Sequence, residues 1–213
     1  RFVTDAGHEL KTPLAIILAN ADALELHHGA SKWSGNIRAQ VQRLDGLMRH
    51  LLTLSRMDEG ENAFPMAQVD VSRLVEEVFS FFAEPAQQKG LQISTDIAPD
   101  VTVNASAESL ALLVSVLADN AVKYADEGST VSVKLTSAGK KTLLDITNSC
   151  QTLPEAPPER LFERFYRGDA ARTQKNGGYG IGLSVAQAVA AMHHGKIEAF
   201  YDDAHTVRFK VEL

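Results

Sequence analysis

His8 and Thr12 stand four residues apart, followed at once by Pro13. Imidazole is nucleophilic near neutral pH, so a histidine held on an exposed surface can take up a transferable group. On a helix His8 lies about 200° from Leu10 and about 180° from Ile17, and so points away from the apolar seam that those residues begin. Thr12 shares its face. Ala15, Ile16 and Ala19 continue that face with small or apolar side chains where water is expected, as in a surface that docks another protein. Pro13 removes an amide donor and crowds the carbonyl of Glu9, which predicts a bend close to His8.

A second group of residues suits a phosphate. Asn120 and Lys123 lie three apart on the flank of a helix whose core stripe is Leu110, Leu113, Val114, Leu117 and Ala121. Asn offers a neutral oxygen to Mg²⁺, and Lys offers a positive charge to phosphate. From Arg160 to Lys175 there are five basic residues against two acidic ones, a local +3 in a chain of net charge -6. That sign favours an anionic ligand. Gly177-Gly178-Tyr179-Gly180-Ile181-Gly182-Leu183 then opens a helix, where glycines permit close backbone approach and free amides attract anions. Taken singly, each of these features is ordinary in a helix flank or a solvated loop.

Two regions must position these residues. Residues 1–58 read as a helical hairpin. Leu10, Leu14, Ile17, Ala21 and Leu24 follow a 4-3-4-3 spacing, repeated by Ile37, Val41, Leu44, Met48 and Leu51, with turn signals over residues 27–35. Two such helices bury little alone, so a four-helix bundle formed by a homodimer is expected. Residues 59–66 are acidic and broken by Gly60 and Pro65, a linker by composition. Residues 67–213 read as a helix near 71–88, a strand near 91–97, a helix near 106–124 and two strands near 130–136 and 142–147. An irregular stretch with a short helix near 159–165 follows, then a helix near 182–193 and strands at 196–201 and 206–211. That order predicts an α+β sandwich with helices on one face.

Composition narrows the class. The 213 residues are 45% hydrophobic and 23% charged, which is globular usage. The acidic balance argues against a nucleic-acid partner. A single cysteine, Cys150, excludes an internal disulfide and suits a reducing compartment. No apolar run approaches the roughly 18 residues of a membrane span. The opening residues read as mid-helix, so more chain is expected upstream, and any membrane contact is expected to lie there.

The run Phe2-Val3-Thr4-Asp5-Ala6-Gly7-His8-Glu9-Leu10-Lys11-Thr12-Pro13-Leu14 closely resembles the phospho-acceptor box of the sensor histidine kinases of two-component systems. Asp119-Asn120-Ala121-Val122-Lys123-Tyr124 resembles that family's asparagine box. Leu161-Phe162-Glu163-Arg164-Phe165-Tyr166-Arg167 resembles the phenylalanine box at its nucleotide lid, and the glycine string resembles its later glycine box. The resemblance implies a dimerisation and phosphotransfer hairpin joined to a gyrase-type ATPase domain. It implies ATP and Mg²⁺ as cofactors, autophosphorylation of His8, and transfer to an aspartate of a response regulator. It also implies roles. Glu9 takes the second ring proton of His8, and Thr12 serves a phosphatase activity toward the regulator. Asn120 ligates Mg²⁺. Lys123, Tyr124, Arg164, Arg167, Gly178, Gly180, Gly182 and Leu183 join Asn120 around the nucleotide. The full-length protein is then expected in a bacterial inner membrane, with this part cytoplasmic.

Three places depart from the family pattern. Gly7 stands where Ser is common, at a helix cost of about 1 kcal/mol. Asn148-Ser149-Cys150-Gln151-Thr152 stands where Asp-x-Gly-x-Gly is usual. Asn148 can accept the adenine amino proton, but without charge assistance, roughly half the strength of such a bond. Weaker adenine binding and weaker discrimination against guanine are expected. Val116 stands where a second Asn is frequent, leaving Mg²⁺ more dependent on water. A nucleotide-impaired kinase acting as phosphatase or dimeric scaffold is the alternative, and Cys150 is expected to be a packed residue.

Overall fold

The computed structural model describes residues 2–58, 64–139, 141–166 and 180–213. The chain divides into two compact units, Arg1–Ala63 and Phe64–Leu213. Phe64, which composition assigns to the linker, belongs to the second unit and is only 7% exposed.

The first unit is the hairpin, α1 (Phe2–His28) and α2 (Lys32–Asp58), with Pro13 inside α1. Gly29 ends α1 at φ 80°, its N–H donating to Glu25 O at 2.8 Å, a left-handed helix stop that suits glycine. The turn is held by side chains. Ser34 N–H donates to Ser31 Oγ at 3.0 Å, Ser34 Oγ–H reaches Glu25 at 2.8 Å, and Arg38 reaches both Glu25 and Asp22. Of the predicted seam, Ala21, Val41 and Met48 are buried, while Ile17, Leu24, Ile37, Leu44 and Leu51 stay 38–52% exposed.

The second unit is a five-stranded sheet covered by helices. Its elements are β1 (Ala67–Asp70), α3 (Val71–Phe81), α4 (Ala83–Gln88), β2 (Gln92–Ile97), β3 (Thr102–Ala105) and α5 (Ala107–Tyr124). Then follow β4 (Thr130–Ala138), β5 (Lys141–Ser149), a 3₁₀ turn at Pro158–Phe162, α6 (Gly182–Met192), β6 (Lys196–Tyr201) and β7 (Thr206–Glu212). The sheet order is β2-β4-β5-β7-β6. Among the described strands of this sheet only β2 and β4 run parallel, Gln92 facing Thr130, while the other neighbours are antiparallel. The alternation of β5 puts Leu144, Ile146 and Asn148 inward, beside Val131, Val133, Phe209 and Val211, all at most 3% exposed. α5 packs on α3, α6 and β5.

The expected helix over 71–88 is two helices. Pro85 has no N–H for the carbonyl of Phe81, so a new helix starts at Ala83, where Pro85 falls in the first turn. The strands β1 and β3, paired from Ala67↔Ala105 to Asp70↔Thr102, were not expected. They are four residues each and carry too few alternations to be read. The short helix expected near 159–165 is the 3₁₀ turn, which ends when Glu163 becomes extended (ψ 136°).

Candidate nucleotide site

The site is built on α5. Ser106 caps its start, and Leu110, Leu113, Val114, Leu117 and Ala121 sit at 0–1% exposure on its inner face. That anchoring turns Asn120 and Lys123 to a half-buried flank, with Lys123 Nζ 5.4 Å from the ring of the exposed Tyr124. The helix stops at Tyr124 because Ala125 turns extended (ψ 143°).

Val116 is 9% exposed and packs beneath the start of α6. A Cβ added at Gly182 would meet Val116 Cγ1 at 3.2 Å. A hydrocarbon side chain here is therefore part of a helix–helix contact, and glycine at 182 lets the two helices approach. The first residue of α6 is reached through Ile181, which supplies no side-chain cap. Unmet amides at a helix start suit a phosphate. Leu183 is half-buried in that first turn.

Gly180 closes the base of the lid. Its φ is 69°, and a Cβ there would fall 2.4 Å from Tyr166 O. Phe165 N–H donates to Gly180 O at 2.7 Å, and Phe165 itself holds φ 65°, a region disfavoured for side-chain-bearing residues. Phe162 anchors the segment, 6% exposed and edge-on to Phe209 at 6.3 Å. Arg164 is exposed. Arg160 is held by Glu163 through two bonds of 3.0 and 3.1 Å and stacks over Tyr166. Those hydrogen bonds raise its pKa and hold it charged, and the Glu163 carboxylate offsets part of the local positive charge within the lid base. Arg167, Gly178, Arg172 and Lys175 lie outside the described residues.

At the far end of the sheet, Asn148 is 2% exposed on β5. Its Nδ2 donates to Ser149 O at 3.3 Å, and its Oδ1 is buried with no hydrogen-bond partner. The amide is oriented, since turning it over would set two oxygens against each other. A buried orphan acceptor is costly unless a ligand donates to it. An exocyclic amino group, such as that of adenine, has the needed chemistry.

Asp126 ties this strand end to α5. Its N–H donates to Ser149 O at 3.0 Å, and its carboxylate accepts Gln151 N–H at 2.8 Å. Sequence reading did not single out Asp126, because its partners are distant in the chain. Cys150 is partly buried. Burial chiefly, then Asp126 and Asp203, pushes its thiol pKa up, away from thiolate chemistry.

Among the described residues no cluster of three His, Cys, Asp or Glu could hold a metal. Asn120, half-buried on the α5 flank, carries a neutral amide oxygen of the kind Mg²⁺ accepts. His8 and Glu9 lie on α1, their side chains outside the described residues, and Thr12 is exposed. Among the described residues no helix is long and apolar enough to cross a membrane.

Comparisons with known proteins agree in both units. A family model described as histidine kinase-, DNA gyrase B- and HSP90-like ATPase matches residues 105–213. The His Kinase A (phospho-acceptor) domain matches residues 1–60. The sensor protein DltS of Streptococcus agalactiae is 30% identical over 213 residues, all of this chain and 53% of that protein. The signal transduction histidine-protein kinase BaeS of Escherichia coli is 30% identical over 216 residues, all of this chain and 46% of that protein. The chain thus spans about half the length of these curated relatives. The structure of full-length ShkA in complex with AMPPNP shares the fold, with a TM-score of 0.80 at 21% identity over 99% of this chain and 44% of that one.

Proposed function

The chain belongs to the sensor histidine kinases of two-component systems, and from that premise we propose that it phosphorylates His8 from ATP and passes the phosphoryl group to an aspartate of a response regulator. A ring nitrogen of neutral His8 attacks the γ-phosphorus, a P–N bond forms, and the bond to the ADP oxygen breaks. Glu9 accepts the proton of the other ring nitrogen, which keeps the attacking one electron-rich. Asn120 holds Mg²⁺, which, when bound, offsets charge on the phosphates. Lys123 and the lid arginines Arg164 and Arg167 add to that electrostatic stabilisation. Gly178, Gly180, Gly182 and Leu183 let the backbone line the phosphates. Asn148 Oδ1 accepts the adenine amino group beside Tyr124. An aspartate of the docked regulator then takes the phosphoryl group, and the P–N bond breaks as a P–O bond forms.

The observation that carries the nucleotide half is the buried, unpartnered Oδ1 of Asn148 at the end of β5. Dimerisation through the hairpin is supported by the exposed seam residues Ile17, Leu24, Ile37, Leu44 and Leu51. Thr12 positions a water for hydrolysis of the regulator's aspartyl phosphate. In the full-length protein this part is cytoplasmic and attached to an inner membrane, a reading that rests on resemblance.

Val116 favours one second reading. A packed valine in place of a Mg²⁺-facing side chain suits an enzyme of low kinase activity that works mainly as phosphatase or dimeric scaffold. Incorporation of γ-phosphate from ATP, in wild type and His8→Gln, decides between them. Acid-labile label that vanishes in His8→Gln supports the kinase. Absence of label with measurable ATP binding supports the phosphatase, and absence of both supports the scaffold.

A further inference from the structure

We propose that Lys89 is a positioning residue of the nucleotide site, acting through the backbone at the end of α5. The last carbonyls of a helix have no intrahelical donors, and they gather the negative end of its dipole. In α5 the carbonyl of Ala121 is met by Ala125 N–H at 2.9 Å. Those of Val122 and Lys123 are met by Lys89 Nζ, at 2.9 and 2.8 Å, and the same ammonium donates to Ala125 O at 3.3 Å. An ammonium has three donors, and all three are spent on this one turn. Lys89 therefore has none left for a ligand and is not a catalytic residue.

The placement of Lys89 is itself fixed. It follows α4, where Lys89 N–H and Leu91 N–H both donate to Ala86 O, and Gly90 turns the chain at φ 67°. A Cβ at Gly90 would lie 3.8 Å from Gly128 N, so the turn after α4 rests on the turn after α5. Gln92 N–H then donates to Ser129 O at 2.9 Å and starts the β2–β4 pairing. The half-buried ammonium is delivered to α5 from a rigid corner of the sheet.

The carbonyls it grips lie between the two halves of the site. Lys123 and Tyr124 are on the gripped turn. Past Ala125, Asp126 donates to Ser149 O, and Ser149 O also accepts Asn148 Nδ2. A run of adjacent bonds thus joins Lys89 to the phosphate flank and to the proposed adenine acceptor. The inference rests on the ATP-site reading above and deepens it. Lys89 sets the separation between Lys123 and Asn148, and so the affinity for nucleotide.

The test uses the whole chain with Lys89→Met, which keeps the stem and removes the donors, and Lys89→Arg, which keeps charge and donors. Titration with ATP and Mg²⁺ is expected to show binding about tenfold weaker in Lys89→Met and within about twofold of wild type in Lys89→Arg, as for charge-assisted bonds to backbone. Without nucleotide, amide hydrogen exchange is expected to quicken over residues 122–126, including the Asp126 N–H that donates to Ser149 O, in Lys89→Met, with α6 and β7 unchanged. Slower folding or a lower melting point with ATP affinity unchanged would overturn the proposal, since Lys89 would then only stabilise. If wild type binds no ATP, the site reading fails, and the exchange pattern still decides the clamp: unchanged exchange at 122–126 overturns it. Should Lys89→Met not fold, Lys89→Gln carries the same two readouts.

Discussion

Ser106 N–H donates to Nε2 of His193 at 3.0 Å, while His193 Nδ1 faces Val189 O at 2.8 Å. A backbone amide can only donate, so Nε2 presents its lone pair and Nδ1 carries the hydrogen. One imidazole thereby joins the cap of α5 to the end of α6, the two helices that bear the candidate site. His193→Ala leaves the buried Ser106 amide unmet and is expected to lower stability by about 1–2 kcal/mol. His193→Gln, with an amide oxygen in reach, is expected to lose less. Urea unfolding of the two variants checks this; equal losses would remove the hydrogen bond from the account.

Gly180→Ala is expected to be severe at the lid and mild elsewhere. The added methyl meets Tyr166 O at 2.4 Å on a backbone of φ 69°. Phe165 and Gly180 must separate, and nucleotide affinity is expected to fall at least about tenfold while far-ultraviolet dichroism is unchanged. Wild-type affinity in this variant would mean that the lid base does not shape the site.

Asn148→Leu keeps the bulk and deletes the acceptor. ATP affinity is expected to fall about tenfold, with the ATP/GTP ratio moving toward one. Asn148→Asp roughly doubles the strength of that one bond through charge assistance but sets a carboxylate oxygen against Ser149 O, so a changed ATP affinity and a higher ATP/GTP ratio are expected. An unchanged ATP affinity and ATP/GTP ratio in Asn148→Asp would show that Asn148 does not read the base.

The pKa of Cys150 is raised, chiefly by burial and then by Asp126 and Asp203. A raised pKa leaves a smaller thiolate fraction at any given pH. Alkylation by iodoacetamide is therefore expected to be slow at neutral pH and to climb only above the usual thiol range. A rate that plateaus below that range would contradict the burial argument.

Thr12→Ala is expected to lower phosphatase activity toward the regulator and to spare autophosphorylation. Thr12 shares a helix with His8 and is exposed there. Equal loss of both activities would argue against separate roles.

Much of the fold that frames the candidate site was legible where chemistry and periodicity agree. The heptad spacing of Ala21, Val41 and Met48, the stripe of α5 and the glycines before α6 each combine a composition with a period. Asn148 was singled out by the resemblance alone, just past a strand expected to end near 147, whereas it lies within β5. The rest depended on long-range contacts. Nothing local to Lys89 announces three carbonyls more than thirty residues away. Val116 looked like a missing ligand, and only its contact with Gly182 shows what a branched hydrocarbon does there. The break at Phe82 was written in Pro85, but the apolar period ran across it.

The parallel pairing of β2 with β4 has a kinetic consequence. The antiparallel β4–β5 pair can zip from its tight turn, but residues 98–129 lie between β2 and β4, as residues 150–205 lie between β5 and β7. The first of these stretches contains β3 and all of α5. Closure cost grows slowly with loop length, by about 0.6 kcal/mol per doubling, but non-local pairings of this kind slow folding. The edge strand and the nucleotide helix therefore belong to one crossover, so the pairing of β2 cannot form without a place for α5.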